Sequence, residues 1–123
     1  MKQLIFCFSL TLFLSSCMTL IPQREANFDT SSVAIKDIQL AKDVNCQLPT
    51  GQTHLLLQGS RWQPYGRTDE GTVYKPTDHI LTIADREEYT AYLVISGSEI
   101  VGFFLPEERA FAPLIASQQV EIK

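Results

Sequence analysis

The chain has 123 residues, with 10 Lys and Arg against 14 Asp and Glu, and a formal net charge of −4. This length supports one domain with a single modest core. Because an acidic chain offers no electrostatic footprint for nucleic acid or for anionic lipid headgroups, the charge balance argues against both as main ligands.

The amino terminus has the features of an export signal. Lys2 precedes an apolar run over residues 4–14, and two small residues follow that run. A helix that spans the bilayer core needs about 20 apolar residues, so this run is too short to remain as a transmembrane helix. It is also too uniformly apolar for an amphipathic helix of a cytosolic domain. We therefore expect residues 1–16 to be a signal peptide that is removed.

The apolar run ends in the tetrapeptide Leu14-Ser15-Ser16-Cys17. This tetrapeptide resembles the lipobox of bacterial lipoproteins, in which an aliphatic residue and two small residues precede an obligatory Cys. The resemblance implies cleavage by signal peptidase II before Cys17, and a diacylglycerol and an N-acyl lipid such as palmitate on that residue. It implies no other cofactor. Met18 follows where an Asp would retain the protein at the inner membrane, which implies the outer membrane, facing the periplasm.

Residues 17–32 are predicted to form the lipidated anchor and a flexible tether. They lack a consistent helical or strand period and end in a polar cluster, Asp29-Thr30-Ser31-Ser32, which is typical of linkers. A flexible coil of this length spans roughly 20 Å on average. The tether would therefore hold the domain away from the bilayer surface.

The remaining residues, 33–123, are predicted to form a β-rich periplasmic domain. Short apolar segments separated by turn residues predict strands at 33–40, 53–58, 61–65, 72–75, 79–84, 89–96, 99–105 and 119–122. Strands at this spacing favour a small antiparallel β-sandwich or barrel. Proline and acidic residues predict a short helical turn at 106–111, and a second could occupy 85–88.

The best-defined element is a hairpin around Gly97-Ser98. A two-residue loop that begins with glycine suits a primed turn, and continuous register from it places Val94 opposite Val101 and Leu93 opposite Gly102. Both faces of the hairpin are apolar. The sequence therefore predicts central strands that are covered on both sides. The alternative is that one face, or the groove beside Gly102, receives a partner protein.

Catalytic and metal-binding signals are weak. His54 and His79 occur singly, without the close spacing of a zinc motif. Asp78 and His79 could in principle form half of an acid/base pair, but adjacent strand residues point to opposite faces. We expect no metal site and no catalytic residue. Cys46 has no partner in the mature chain and fits a small buried side chain; the alternative is an exposed thiol that pairs with another chain.

One segment is a candidate partner-binding surface. Arg61, Trp62, Tyr65 and Arg67 place two arginines beside two aromatic residues, and these types are enriched at binding hot spots. A cationic and aromatic strip in an acidic domain could meet a carboxylate-rich or glycan surface. Alternatively, Trp62 packs in the core and the two arginines flank it in water. The solvent accessibility of Trp62 separates the two interpretations.

These observations predict a membrane-anchored, non-catalytic envelope lipoprotein whose β domain binds another protein as an accessory or assembly factor. The alternative is an envelope enzyme, or an inhibitor of a cell-wall or host hydrolase. A cleft that contains a histidine with converging carboxylates would favour catalysis. A protruding rigid loop, such as residues 68–71, would favour inhibition.

Overall fold

The computed structural model describes residues 20–30 and 36–123. The predicted signal peptide, Cys17 and residues 31–35 lie outside the described residues. The described part contains no helix, so the mainly β class is confirmed. Its strands are β1 (Arg24–Glu25), β2 (Ile38–Gln39), β3 (Val44–Gln47), β4 (Thr53–Leu56), β5 (Arg61–Thr68), β6 (Gly71–Pro76), β7 (Thr82–Ala84), β8 (Glu88–Thr90), β9 (Tyr92–Ser96), β10 (Glu99–Leu105) and β11 (Ala110–Gln119).

Seven strands form one antiparallel sheet in the order β1-β11-β10-β9-β6-β5-β2, while β3–β4 and β7–β8 form separate two-stranded sheets. The chain after β11 returns to the edge formed by β2. Ala41 N donates to Glu121 O at 2.8 Å, and Lys123 N donates to Gln39 O at 2.8 Å. These bonds close the large sheet into a ring and satisfy an edge that would otherwise be open to other chains.

An inner core fills the ring. Its largest fully buried side chains include Trp62, Phe103, Leu40, Leu93 and Ile100. The two small sheets add apolar side chains to the same cluster, namely Val44, Cys46, Leu56 and Ile83. Removal of these groups from water is the main favourable contribution to folding, and it fixes the two small sheets against the large one.

A second cluster lies on the outer face of the sheet, beneath residues 21–29, which we call the strap. Phe28 of the strap stacks on Phe104 and Tyr65, with ring centroids 4.7 and 5.2 Å apart. The Arg24 guanidinium lies 5.0 Å from the centre of the Phe111 ring. The expectation of a free tether is therefore wrong for residues 20–30, because their apolar and aromatic side chains cover sheet surface that would otherwise face water.

Polar contacts fix both ends of the strap. Ile21 is buried, and its N–H donates to Asp85 Oδ2 at 3.2 Å. Arg24 forms an ion pair with Glu70 at 3.1 Å. At the far end, Asp29 and Arg67 exchange two backbone hydrogen bonds of 2.7 and 2.8 Å. The strap is thus bonded to the β7–β8 turn, the β5–β6 turn and β5.

The hairpin of β9 and β10 begins as predicted. Gly97 has a φ of 63°, which glycine adopts without steric penalty, and Ile95 pairs with Ile100. The predicted register is wrong beyond that pair, because a bulge at Val101 places Val94 opposite Gly102. The bulge moves Phe103 onto the inner face, whereas continuous register puts it on the face of Val94.

Both faces of this hairpin are covered within the domain. Val94 is 0% exposed on the strap side, and Ile95 is 5% exposed on the inner side. β9 and β10 occupy the middle of the large sheet. The prediction of central strands covered on both sides is confirmed.

Both predicted helical turns are wrong. Residues 106–109 form a tight turn that leads directly into β11, and Leu105 pairs with Ala110 across it. Pro113 is tolerated within β11 because it lies beyond the end of β1, where β10 is the paired neighbour in the described part of the sheet. Residues 85–87 form the turn of the β7–β8 hairpin and residue 88 begins β8; in this turn Asp85 Oδ1 accepts the Glu87 N–H at 3.1 Å.

Candidate functional site

The four side chains of the predicted partner-binding strip do not form one surface. Trp62 is 0% exposed and belongs to the inner core. Tyr65 packs in the cluster on the outer face of the sheet, beneath the strap, where the centroids of its ring and of the Tyr92 ring lie 4.8 Å apart. Arg61 and Arg67 are exposed. The structure therefore corresponds to the alternative in which Trp62 packs in the core and the arginines flank it in water.

An apolar groove of about 460 Å³ is a concave site on the surface of the domain. It lies between residues 55–60, at the end of β4, and residues 78–81, which lead into β7. Leu55 is 57% exposed, Leu57 is 58% exposed and Ile80 is 82% exposed. Exposed leucine and isoleucine side chains that line one groove are typical of a binding site. This groove was not predictable from local sequence patterns, because residues 61–77 separate its two walls along the chain.

Asp78 and His79 form a contact at the wall of the groove. His79 Nδ1 lies 2.9 Å from Asp78 Oδ1. The rings of His79 and the buried Trp62 form a T-shaped contact, with their centroids 4.9 Å apart. The expectation that these two side chains point apart is wrong, because residues 77–79 form a bend between β6 and β7 and not a strand. The hydrogen bond to His79 lowers the pKa of Asp78, and the positive charge of Arg61 lowers it further.

Ser60 lines the same groove as Asp78 and His79, but its hydroxyl does not have the hydrogen bonds of a catalytic nucleophile. Its Oγ donates to Leu57 O at 2.7 Å and accepts a hydrogen bond from Trp62 Nε1 at 3.1 Å. An activated serine instead donates to a general base. The Ser60 hydroxyl is thus committed to the backbone turn and to Trp62, and it does not complete a triad with Asp78 and His79.

Cys46 and His54 face each other across β3 and β4. Burial raises the pKa of the Cys46 thiol to about 12, so the thiol stays protonated and poorly reactive. Burial also lowers the pKa of His54. The prediction of Cys46 as a small buried side chain is confirmed, and the pair gives no sign of an activated nucleophile.

Metal-binding clusters and membrane-spanning helices are both absent from the part of the chain that the structure describes. In residues 20–30 and 36–123, no cluster of three or more His, Cys, Asp and Glu side chains could hold a metal ion. Over the same ranges, no helix has the length and apolar character needed to cross a membrane.

The described residues form an all-β domain with an apolar groove. No family model, no curated protein and no solved structure matches the chain.

Proposed function

We propose that this chain is a lipid-anchored lipoprotein of the bacterial envelope that holds a partner protein at the membrane through the apolar groove. The observation that carries the proposal is the set of three exposed apolar side chains, Leu55, Leu57 and Ile80, on one concave surface. Water contact with these side chains is unfavourable by roughly 25 cal/mol per Å² of apolar area. A partner that covered them would recover that free energy.

The position of the strap favours binding close to the bilayer. Four peptide units separate Cys17 from the buried Ile21, which limits the distance between their Cα atoms to about 14 Å. Asp85 contacts Ile21 and lies five residues from Ile80, a separation of at most about 17 Å. The hydrogen bond from Ile21 to the Asp85 side chain adds several ångström between these two Cα atoms, so Ile80 at the groove lies within about 40 Å of the acylated residue. Anchoring in the outer membrane on its periplasmic side is part of the proposal, and it is supported by Met18.

The anchor is tested by metabolic labelling with a palmitate analogue. The unmodified chain should take up the label, and Cys17→Ala should lose both the label and the size shift on cleavage. A labelled Cys17→Ala protein would contradict the lipid anchor. Circular dichroism provides the control, because loss of the label supports the anchor only if the Cys17→Ala protein keeps its β-sheet spectrum.

The groove is tested by photo-cross-linking in living cells. A photoreactive residue at position 57 should give a discrete cross-linked band, whereas the same residue at position 115 should not. Ile115 is the matched control because it is 59% exposed and lies on β11, outside the groove. Equal cross-linking at both positions would contradict a specific role for the groove.

An envelope hydrolase is the second candidate, and the Asp78–His79 pair on the groove wall is the observation that favours it. A carboxylate that accepts a hydrogen bond from one imidazole nitrogen leaves the other nitrogen available as a base. His79→Asn should abolish turnover if this candidate is correct, and should leave the cross-link at position 57 unchanged if the groove only binds. The inhibitor alternative is disfavoured, because the loop at residues 68–71 is held to the strap by the Arg24–Glu70 ion pair and does not stand free.

A further inference from the structure

The hydrogen-bonding pattern of β4 specifies what kind of ligand the groove accepts. Leu48 N donates to Gln52 O at 2.8 Å at the turn between β3 and β4. Hydrogen-bonded and non-hydrogen-bonded pairs alternate along an antiparallel ladder. His54 therefore exchanges backbone bonds with Cys46, whereas the N–H and C=O groups of Thr53 and Leu55 point away from β3.

Within residues 20–30 and 36–123, β4 pairs with β3 and with no other strand. The edge that carries the outward groups of Thr53 and Leu55 is next to the groove. Protein edges of this kind are normally protected by lysine, proline or a bulge. The stretch from Thr53 to Gln58 contains neither lysine nor proline, and its pairing with β3 is regular.

The side chains and the charge of the groove restrict the kind of peptide segment that it can bind. Leu55 and Leu57 are exposed while Leu56 between them is 3% exposed, so the apolar contacts repeat every two residues, as they do along a strand. The positive charge of Arg61 acts on Asp78 from outside the groove lining, but among the residues that line the groove Asp78 carries the one formal charge. A segment with a cationic end complements that charge, and a segment with acidic ends would be repelled by it.

We infer that the groove captures an extended segment of the partner protein, which adds as a strand to the free edge of β4. The segment has apolar residues at alternate positions and Lys or Arg near the end that meets Asp78. Its backbone bonds to Thr53 and Leu55, and its apolar side chains lie over Leu55, Leu57 and Ile80. Strand addition of this kind combines main-chain hydrogen bonds with side-chain selection. The inference rests on the proposed function and names the partner's chemistry at the same site.

Amide exchange measured by NMR on the mature acylated chain in lipid nanodiscs tests the edge directly. The amides of Thr53 and Leu55 should exchange rapidly, whereas those of His54 and Leu56, which donate to β3, should exchange slowly. Slow exchange at Leu55 in the dilute protein would show that the edge is already covered and would overturn the inference. Protection of Leu55 that rises with protein concentration, together with dimer formation, would assign the edge to a second copy and would also overturn it.

Selection from a random dodecapeptide library on the same nanodiscs tests the ligand. Enriched peptides should carry apolar residues at alternate positions, and should protect the Leu55 amide. Their affinity should fall at least tenfold with Leu57→Asp or on N-methylation of the paired peptide amide, and less than twofold with Ile115→Asp. Replacing the cationic end with Glu should weaken binding several-fold.

Three results would overturn the inference. These are apolar residues at helical spacing in the selected peptides, indifference to N-methylation, and failure to enrich any peptide beyond the Leu57→Asp background. The first two would leave the proposed function standing if the cross-link at position 57 and the lipid label were both present. Loss of that cross-link and that label would instead contradict the proposed function itself.

Discussion

Replacement of Gly66 by alanine would place a methyl group where the ring of Phe28 lies. A Cβ at this position would sit 2.3 Å from Phe28 Cε1, 2.4 Å from Phe28 Cζ and 3.0 Å from the Asp29 carbonyl oxygen. Gly66 is not among the glycines with positive φ, so alanine brings no backbone strain of its own. The ring of Phe28 must therefore leave its place between Phe104 and Tyr65.

The destabilisation by Gly66→Ala is set mainly by the contacts of the strap. Half-burial of a Phe side chain contributes about 1 kcal/mol, and each of its two ring contacts adds about 0.5 to 1.5 kcal/mol. Phe28→Ala should thus lower the free energy of unfolding by about 2 to 4 kcal/mol. Gly66→Ala should reach about this value, because release of Phe28 relieves the clash with its ring and leaves only the 3.0 Å contact with the Asp29 carbonyl oxygen.

A double-mutant cycle separates this mechanism from a general loss of stability. In the Phe28→Ala background, Gly66→Ala should lower the free energy of unfolding by less than about 0.5 kcal/mol, which gives a coupling energy of about 2 kcal/mol. Gly102→Ala is the control, since its Cβ would meet Ala112 and Phe111 and not Phe28, and its effect should add to that of Phe28→Ala. Urea unfolding followed by the fluorescence of the buried Trp62 measures all the variants. Equal destabilisation by Gly66→Ala in both backgrounds would refute the packing of Phe28 over Gly66.

Three further outcomes are expected. Val94→Asp and Ile95→Asp should each unfold the domain in circular dichroism, because an unpaired buried carboxylate is unfavourable by several kcal/mol against a total stability of about 5 to 15 kcal/mol; a folded variant of either would contradict the burial of that face. Burial lowers the pKa of His54, so below about pH 6.5 the unfolded state binds more protons than the folded state. The free energy of unfolding should therefore keep the whole His54 contribution above that pH and decrease as the pH falls below it. His54→Leu should flatten this decline in thermal melts, and an unchanged slope would exclude His54 as its cause. Cys46, with a pKa of about 12, should resist iodoacetamide in the folded chain and react once urea unfolds it; rapid reaction of the folded chain would contradict its burial.

Local turn chemistry made part of the fold predictable. The turn at Gly97 and the bounds of β10 follow from glycine and from flanking apolar residues, and both agree with the structure. The bulge at Val101 was not predictable, because the apolar pattern of β10 does not show which residue lacks a partner; the register shifts at the same place in the pairing with β9 and with β11. Residues 106–109 carry proline and acids that also favour a helix start, and tertiary pairing of Leu105 with Ala110 overrode that local preference.

The candidate site was less predictable than the fold. Trp62 is the one tryptophan of the predicted strip, yet its indole is buried in the inner core and contacts the ring of His79. The groove arises because β4 and the bend at Asp78 are brought together in space. Burial of the strap was also not predictable, since two paired residues and one aromatic side chain leave no detectable period in the sequence.

In a chain anchored through Cys17 as proposed, tension between the membrane and a bound partner passes through the strap. β1 joins the large sheet by two residue pairs, whereas β10 and β11 share six, so pulling should peel the strap away before the sheet opens. Its nine residues would then lengthen the link by up to about 30 Å and uncover Phe104 and Tyr65. The strap is therefore the force-sensitive element of the molecule, and its detachment would let the domain follow a moving partner while the ring of strands stays intact.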